Sequence, residues 1–142
     1  MNSEKIYKLK SLHDLEPFVI SMLEDFPEIR VFCLYGDLGA GKTTICKEII
    51  GNLTEIKTVT SPTFNIVQIY DGIKSKVFHY DLYRIKDESE LYEIGLLENL
   101  SEGYSLIEWP EIAENFLATE KKVNIRITCL ENDKREAVVT KT

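Results

Sequence analysis

The feature that most constrains the fold of this chain is an apolar run followed at once by a glycine-rich loop. The run is Val31 to Tyr35, and the glycine loop is Gly36-Asp37-Leu38-Gly39-Ala40-Gly41-Lys42-Thr43. A nearly unbroken apolar run is typical of a central parallel strand that is covered on both faces. Lys42 to Ile50 then has the pattern of a helix, which Gly51 would close. The sequence therefore predicts a strand, a loop and a helix inside an α/β domain.

The glycine loop matches the phosphate-binding pattern G-x-x-x-x-G-K-[ST] at every defined position. Its glycines allow backbone N–H groups to turn inward, and the N-terminus of the following helix adds unpaired donors and its dipole. Lys42 is predicted to reach the β- and γ-phosphates of ATP, and Thr43 to give its hydroxyl oxygen to Mg²⁺. The alternative is a glycine turn before an ordinary helix. The predicted nucleotide contacts here are Gly36, Asp37, Leu38, Gly39, Ala40, Gly41, Lys42, Thr43 and Thr44.

The rest of the chain predicts a mixed sheet. Its strands are Ile6–Leu9 at an edge, a hairpin of Thr63–Asp71 and Lys74–Asp81, Tyr104–Glu108, and a closing hairpin of Val123–Leu130 and Glu136–Thr140. Further helices are predicted after Asp14 as N-cap, over Asp87–Leu100 with Gly95 weakening or dividing it, and over Glu111–Leu117 behind Pro110. We therefore expect residues 1–142 to form one α/β three-layer domain of the P-loop NTPase type, with antiparallel edge strands.

Composition and charge disfavour several classes of function. No apolar stretch approaches the roughly 20 residues that cross a bilayer, and Met1 to Ile6 lacks the regions of a secretory signal. We therefore expect a cytoplasmic protein with no membrane contact. The net charge of −7 disfavours unaided binding to nucleic acid, so a partner would have to supply positive charge. Cys33, Cys46 and Cys129 lack a metal-binding spacing and are predicted to be buried apolar side chains.

Two acids follow predicted strands. A P-loop needs a second acidic element, because Mg²⁺ keeps several waters that carboxylates hold. Asp81 ends the strand Val77–Tyr80, at the carboxyl edge where ligands gather in α/β sheets. Glu108 ends Ser105–Ile107 in the same way, and could hold a metal-bound water or orient the attacking water. The alternatives are an exposed turn aspartate and an acid at a helix entry.

Two further features each allow two interpretations. The hydroxyls of Ser61-Pro62-Thr63-Phe64 could respond to a γ-phosphate as switch loops do, or the proline could simply shape a turn. His79 alternates with Phe78 and Tyr80, which favours support of the strand. A role as catalytic base is disfavoured, since no serine or cysteine nucleophile motif accompanies it.

Four motifs occur in a specific order across nearly the whole chain. They are the glycine loop, Ser61-Pro62-Thr63-Phe64, His79-Tyr80-Asp81-Leu82-Tyr83-Arg84 and Ile107-Glu108-Trp109-Pro110-Glu111. In this combination and spacing the chain closely resembles the bacterial TsaE (YjeE) family. The resemblance implies an ATPase required for the biosynthesis of threonylcarbamoyladenosine, the modified base beside the anticodon of tRNA. It also implies that the protein acts with TsaB and TsaD, with tRNA contacted through the complex.

The resemblance also implies roles for individual residues. Lys42 and Thr43 match the phosphate lysine and the magnesium hydroxyl, Asp81 the Walker-B-like acid, and Glu108 an acid of the magnesium site. Thr63 matches a switch threonine. Two positions with less distinctive surroundings resemble nucleotide contacts; they are Ser11 and Arg135.

Other functions remain open at this level. A small-molecule kinase would use the same glycine loop, but the segment from Tyr83 to Gly103 supplies only Arg84 for an arginine-bearing lid. A scaffold that binds ATP without hydrolysing it would differ in chemistry rather than in fold. Guanine preference is disfavoured because no N-K-x-D pattern follows the glycine loop.

Overall fold

All seven strands of the described chain form one mixed sheet. The computed structural model describes residues 4–56, 59 and 66–142. The strands are β1 (Glu4–Leu9), β2 (Val31–Tyr35), β3 (Val67–Asp71), β4 (Lys76–Asp81), β5 (Gly103–Glu108), β6 (Val123–Cys129) and β7 (Arg135–Lys141). Their order in the sheet is β1-β7-β6-β2-β5-β4-β3.

The sheet is parallel in its centre and antiparallel at both ends. β2 pairs in parallel with β5 and β6, and β4 with β5. The pairs β1–β7, β6–β7 and β3–β4 are antiparallel. The predicted mixed sheet with antiparallel edge strands is confirmed. Because the central strands are parallel, their carboxyl ends meet at one edge of the sheet.

Helices cover both faces of the sheet. They are α1 (Leu15–Asp25), α2 (Lys42–Leu53), α3 (Ser89–Glu93), α4 (Leu96–Leu100) and α5 (Glu114–Leu117), with short 3-10 turns at Leu12–Asp14, Pro110–Ala113 and Glu131–Asp133. The apolar sides of α1 and α2 pack in one core, and those of α3, α4 and α5 in another. No helix in the described ranges is long and apolar enough to cross a bilayer.

Strand β2 separates the two cores. Phe32 and Leu34 point into the core under α1 and α2, whereas Val31 and Cys33 point into the other. Side chains alternate between the faces of a strand, so an apolar run is required where both faces are covered. Each such large side chain stabilises the fold by about 1.5–3 kcal/mol. This burial fixes the strand from which the glycine loop begins.

Two glycines were predicted to end or divide helices, and only one of them does so. Gly51 does not close α2, which continues to Leu53. There the hydroxyl of Thr54 donates to the carbonyl of Ile50 at 2.8 Å, as does its backbone N–H at 2.9 Å. Gly95, in contrast, adopts the left-handed conformation at φ 72° and divides the predicted helix into α3 and α4.

Two side chains differ from their predictions. Asp14 stands at the N-cap of α1 but makes no capping hydrogen bond; its carboxylate accepts from the backbone N–H of Lys10 instead. Cys33 and Cys46 are buried as predicted, but Cys129 is exposed. The reason is that β2 accompanies β6 only as far as Arg126, so Cys129 extends past the covered part of the sheet.

Candidate functional site

The glycine loop connects β2 to α2 at the carboxyl edge of the sheet. Gly41 has φ 112°, in a region that side chains rarely adopt, and it immediately precedes α2. At Gly36 a Cβ atom would lie 2.8 Å from the carbonyl oxygen of Ile127, so a larger residue would push the loop away from β6. These positions require glycine, and they direct the loop across the N-terminus of α2.

Lys42 folds back over this loop. Its Nζ donates to the carbonyl of Asp37 at 3.0 Å and to that of Gly36. The ammonium also lies 3.8 Å from the centroid of the Trp109 ring. Burial lowers the pKa of Lys42, while the surrounding acids, Glu108 foremost, act against that shift. The lysine therefore combines a desolvated charge with acidic neighbours that favour it.

Trp109 reaches the lysine through an uncommon backbone conformation. Its φ of 57° and ψ of 55° are left-handed, at a cost of about 1–2 kcal/mol for a residue with a side chain. Tyr83 packs against the indole with ring centroids 4.9 Å apart. The sequence identified Trp109 only as the neighbour of Glu108; its place against Lys42 depends on this turn of the backbone.

Glu108 joins two elements that the sequence keeps far apart. The hydroxyl of Thr43, in the first turn of α2, donates to Glu108 Oε1 at 2.7 Å. The other carboxylate oxygen, Oε2, lies 2.6 Å from Nε2 of His79 on β4. Glu108 itself is buried, with only 2% of its surface exposed. The acid at the end of β5 therefore faces the predicted magnesium hydroxyl directly.

Asp81 lies beside Glu108 because their strands are neighbours. In the parallel pairing of β4 and β5, Asp81 stands opposite Glu108. Asp81 is partly exposed, and its Oδ1 accepts from the backbone N–H of Tyr83 at 3.1 Å. Both acids border one pocket.

That pocket, of about 230 Å³, lies over the start of α2. Thr43, Lys42 and the two acids line it, and Trp109 forms part of its wall. The structure thus brings the predicted phosphate and metal residues together. The described residues that line it are Leu38, Gly39, Gly41, Lys42, Thr43, Thr44, Asp81, Glu108 and Trp109.

A second and more apolar pocket, of about 340 Å³, adjoins the first at Gly41 and Thr44. Ser11 and Arg135, which are predicted nucleotide contacts, both contribute to its wall. Arg135 donates from Nε to the carbonyl of Ala40 at 3.0 Å, which links β7 to the glycine loop. The other described residues of its lining are Leu9, Lys10, Leu12, Leu15, Ala40, Ile45, Ile127 and Asp133.

The sequence predicted most but not all of this arrangement. Thr63 and its neighbours Ser61, Pro62 and Phe64 lie outside the described residues. Asp133 was missed, although it borders the larger pocket in a left-handed conformation at φ 59°. The polar turn from Glu131 to Lys134 was a signal for that loop, but only the folding of β7 against β1 brings it to the pocket.

Comparisons with known proteins identify one family. A family model described as "Threonylcarbamoyl adenosine biosynthesis protein TsaE" matches residues 9–137. The tRNA threonylcarbamoyladenosine biosynthesis protein TsaE of Rickettsia prowazekii is 39% identical over 92% of this chain and 90% of its own length. The protein of the same name from Bacillus subtilis is 40% identical over 78% of this chain and 68% of its own length.

A solved structure gives the same result in three dimensions. The crystal structure of YdiB from Bacillus subtilis matches with a TM-score of 0.77 and 27% sequence identity. The match covers 99% of this chain and 86% of that one. Fold, motif order and family model thus agree over nearly the whole chain. This protein belongs to the TsaE family.

Proposed function

We propose that this protein is a Mg²⁺-dependent ATPase of the P-loop NTPase fold that supports threonylcarbamoyladenosine modification of tRNA together with TsaB and TsaD. The observation that carries the ATPase proposal is the hydrogen bond from Thr43 to Glu108, with Asp81 opposite Glu108 and Lys42 in the same pocket. A structural turn has no need of a hydroxyl, two acids and a buried lysine around one cavity.

The glycine loop supplies the binding site for the phosphates. Its backbone N–H groups and the N-terminus of α2 attract anions, since four N–H groups at a helix start have no partner within the helix. Lys42 adds a full positive charge next to them. Its ammonium donates to two carbonyls of the loop, which hold it close to the predicted position of the γ-phosphate. A bound γ-phosphate would compete with these carbonyls for the N–H donors of Lys42.

The donor set of the smaller pocket fits Mg²⁺. This ion prefers oxygen ligands and keeps several waters, which carboxylates then hold. Thr43 offers a hydroxyl oxygen, and Asp81 and Glu108 offer carboxylates at the ends of neighbouring strands. When bound with ATP, Mg²⁺ would neutralise charge on the phosphates. Thr43, Asp81 and Glu108 are the residues that would hold it, directly or through water.

The larger pocket suits the base and ribose of the nucleotide. It adjoins the phosphate pocket through Gly41 and Thr44, and apolar residues such as Leu15 and Ile45 form much of its wall. Arg135 borders it while tied to the carbonyl of Ala40, which fixes its distance from the glycine loop. ATP would therefore lie across the loop from one pocket to the other.

The tRNA role rests on the family rather than on a nucleic-acid surface. The relatives carry the name of a tRNA threonylcarbamoyladenosine biosynthesis protein. The net charge of −7 is unfavourable for binding phosphates of tRNA without a basic partner. We therefore assign contact with tRNA to TsaB and TsaD, and nucleotide turnover to this chain in the cytoplasm.

Release of inorganic phosphate is the direct test of the ATPase. Turnover of ATP should depend on Mg²⁺ and yield ADP and free phosphate. ADP formed without free phosphate in the presence of a small acceptor would indicate a kinase instead. Binding of ATP without turnover, even with TsaB and TsaD present, would indicate a scaffold and contradict the proposed hydrolysis.

Replacing the two acids should weaken the metal site. Asp81→Asn and Glu108→Gln keep the shape of the side chain but remove its charge, so the Mg²⁺ concentration for half-maximal turnover should rise about 10–100-fold. The loss should be larger for Glu108→Gln, because an amide has one oxygen where the carboxylate places one oxygen at Thr43 and the other at His79.

The matched control is Asp71→Asn, which removes an exposed aspartate at the end of the neighbouring strand β3. It should leave the dependence on Mg²⁺ unchanged. Thermal unfolding of all three variants shows whether the fold is retained. An unchanged Mg²⁺ dependence in both Asp81→Asn and Glu108→Gln would mean that the acids are structural.

Trp109 should report nucleotide binding through its fluorescence. It is the only tryptophan, and the ammonium of Lys42 lies 3.8 Å from its ring. Phosphates that draw Lys42 toward them would change the charge next to the indole, so emission should change on addition of Mg-ATP. The measurement is a titration of wild type and of Lys42→Ala. An equal change in both at saturating ATP would argue against this coupling.

A further inference from the structure

His79 is a buried polar residue that phosphate binding does not explain. Its side chain is fully buried on β4, in the layer between the sheet and α2. Nε2 lies 2.6 Å from Oε2 of Glu108, whose other oxygen accepts from Thr43. A carboxylate oxygen can only accept, so the proton of this short hydrogen bond belongs to Nε2. His79 is therefore the donor.

The second nitrogen of the ring defines its tautomer. Nδ1 is buried and has no hydrogen-bond partner in the described part of the chain. A proton there would be a buried N–H without an acceptor. The contact with Glu108 and the unpartnered Nδ1 together favour the tautomer that carries its proton on Nε2.

The side chain of Cys46 lies beside His79 and Glu108 but does not replace Glu108 as the acceptor for the proton on Nε2. Cys46, one turn after Thr43 on α2, places its sulfur within 4.8 Å of ligand atoms of His79 and Glu108. Burial raises the pKa of the Cys46 thiol well above its ordinary value, so it adds no second anion. Cys46 instead closes the site with an apolar group. The direction of Glu108 is then set by its two hydrogen bonds.

We infer that His79 is a positioning residue for Glu108: its Nε2–H holds Oε2, so that Oε1 faces Thr43 and the metal side of the pocket. This inference rests on the proposed function, because it assigns His79 a purpose in the magnesium site. The ring does not contact the nucleotide pocket and takes no proton from a substrate. It acts only through the carboxylate.

The strand pattern explains why a histidine can do this. His79 and Asp81 are two residues apart on β4, so their side chains leave the same face of the sheet. Strand β4 therefore brings Asp81 to the pocket and also supplies His79, which orients Glu108. Without that donor, Glu108 would be a buried carboxylate free to rotate away from Thr43, and one of its oxygens would lack a partner.

Two amide substitutions separate orientation from bulk. In His79→Gln the amide nitrogen can occupy the place of Nε2 and donate to Glu108, whereas in His79→Asn it can reach only the place of Nδ1. We expect His79→Asn to raise the Mg²⁺ concentration for half-maximal binding of a non-hydrolysable ATP analogue about 10–100-fold. His79→Gln should stay near wild type. Calorimetric titration measures both.

The same titration without Mg²⁺ provides the control. Affinity for the metal-free analogue should be alike in wild type and in both variants, because positioning of Glu108 matters only to the metal. Equal Mg²⁺ dependence in His79→Asn and wild type would overturn the inference. So would a loss of affinity in His79→Asn that is the same with and without Mg²⁺, since that indicates a structural role alone.

An NMR measurement on nucleotide-free protein tests the tautomer independently of ATP. The chain has two histidines, and His13 is exposed, so its ring serves as an internal reference. The ¹⁵N shifts of His79 should show a protonated Nε2. An Nε2 without a proton would overturn the inference. Failure of wild type to bind the analogue would contradict the proposed function instead, and this spectrum would still decide whether His79 donates to Glu108.

Discussion

Phosphate release from ATP should be slow for the isolated protein and should rise about 10³-fold or more when TsaB and TsaD are added. P-loop hydrolysis gains about this much from an arginine placed against the charge that develops on the γ-phosphate. In the proposed function, the glycine loop binds the phosphates of ATP and the two acids hold Mg²⁺. A cation on the open side of the γ-phosphate is the element that partners would supply or organise.

The arginines of this chain are engaged elsewhere or exposed. They are Arg30, Arg84, Arg126 and Arg135. Arg30 and Arg126 lie over the rings of Tyr104 and Tyr35, and Arg135 is tied to the carbonyl of Ala40. Arg84 is exposed just after Asp81, where a docking partner could turn it toward the phosphates or contact it. Hydrolysis by the isolated chain would therefore lack an arginine that is fixed against the γ-phosphate.

Steady-state phosphate release, alone and with both partners, measures this effect. Reactions with Lys42→Ala in place of the wild type give the background from the partners themselves. Arg84→Ala distinguishes the two sources of charge: loss of the acceleration assigns it to Arg84, and its persistence assigns it to a partner residue. Fast turnover that is unaffected by TsaB and TsaD would reject activation by partners while leaving the ATPase intact.

Lys42→Ala should reduce ATP turnover about 100-fold or more. Among the described residues that line the smaller pocket, Lys42 is the one cation. Removal of a single preorganised donor from a site of developing charge commonly has an effect of this size. The fold should persist, because Nζ binds loop carbonyls rather than filling either apolar core. Phosphate release and thermal unfolding, measured on the same preparations, test both expectations.

Lys47→Ala is the matched control for that variant. Lys47 lies further along α2, outside both pockets at the glycine loop, so the control removes the same side chain from the same helix. Its turnover should equal that of wild type. Unchanged turnover in Lys42→Ala would contradict the assignment of the phosphate site, whatever the behaviour of the control.

The central part of the fold follows from local patterns in the sequence. Three patterns each predicted local structure. The apolar run predicted β2, the glycine loop predicted the helix that follows it, and the alternation predicted the hairpin of β6 and β7. The side chains of Val31 to Leu34 had to enter two cores, which is why this strand was predicted as central. Asp71 and Gly72 likewise marked the hairpin between β3 and β4.

Local patterns were insufficient where two signals compete. Gly51 has the composition of a helix stop, but Asn52 and Thr54 bond back to carbonyls of α2 and extend the helix past it. Asp14 has the composition of a cap, yet the N–H of Lys10 competes successfully for its carboxylate. Cys129 fits the alternation of β6, but it lies beyond the part of β6 that pairs with β2, where side chains are exposed. Each outcome depends on contacts that the glycine, the acid or the cysteine does not itself specify.

The candidate site was predictable as a set of residues but not as an arrangement. The sequence places Asp81 and Glu108 at the ends of strands, without stating that these strands are neighbours. Their parallel register makes the two acids adjacent and brings His79 to Glu108. Because a strand pairing depends on the whole sheet, the partner of Glu108 becomes visible only in three dimensions.

The pairing of β1 with β7 has a consequence for the newly synthesised chain. The larger pocket takes its walls from the segment after β1, from the glycine loop and from the hairpin that leads into β7. During translation, β2, the glycine loop and α2 are synthesised before that last hairpin. The larger pocket is therefore completed late, when β7 pairs between β6 and β1.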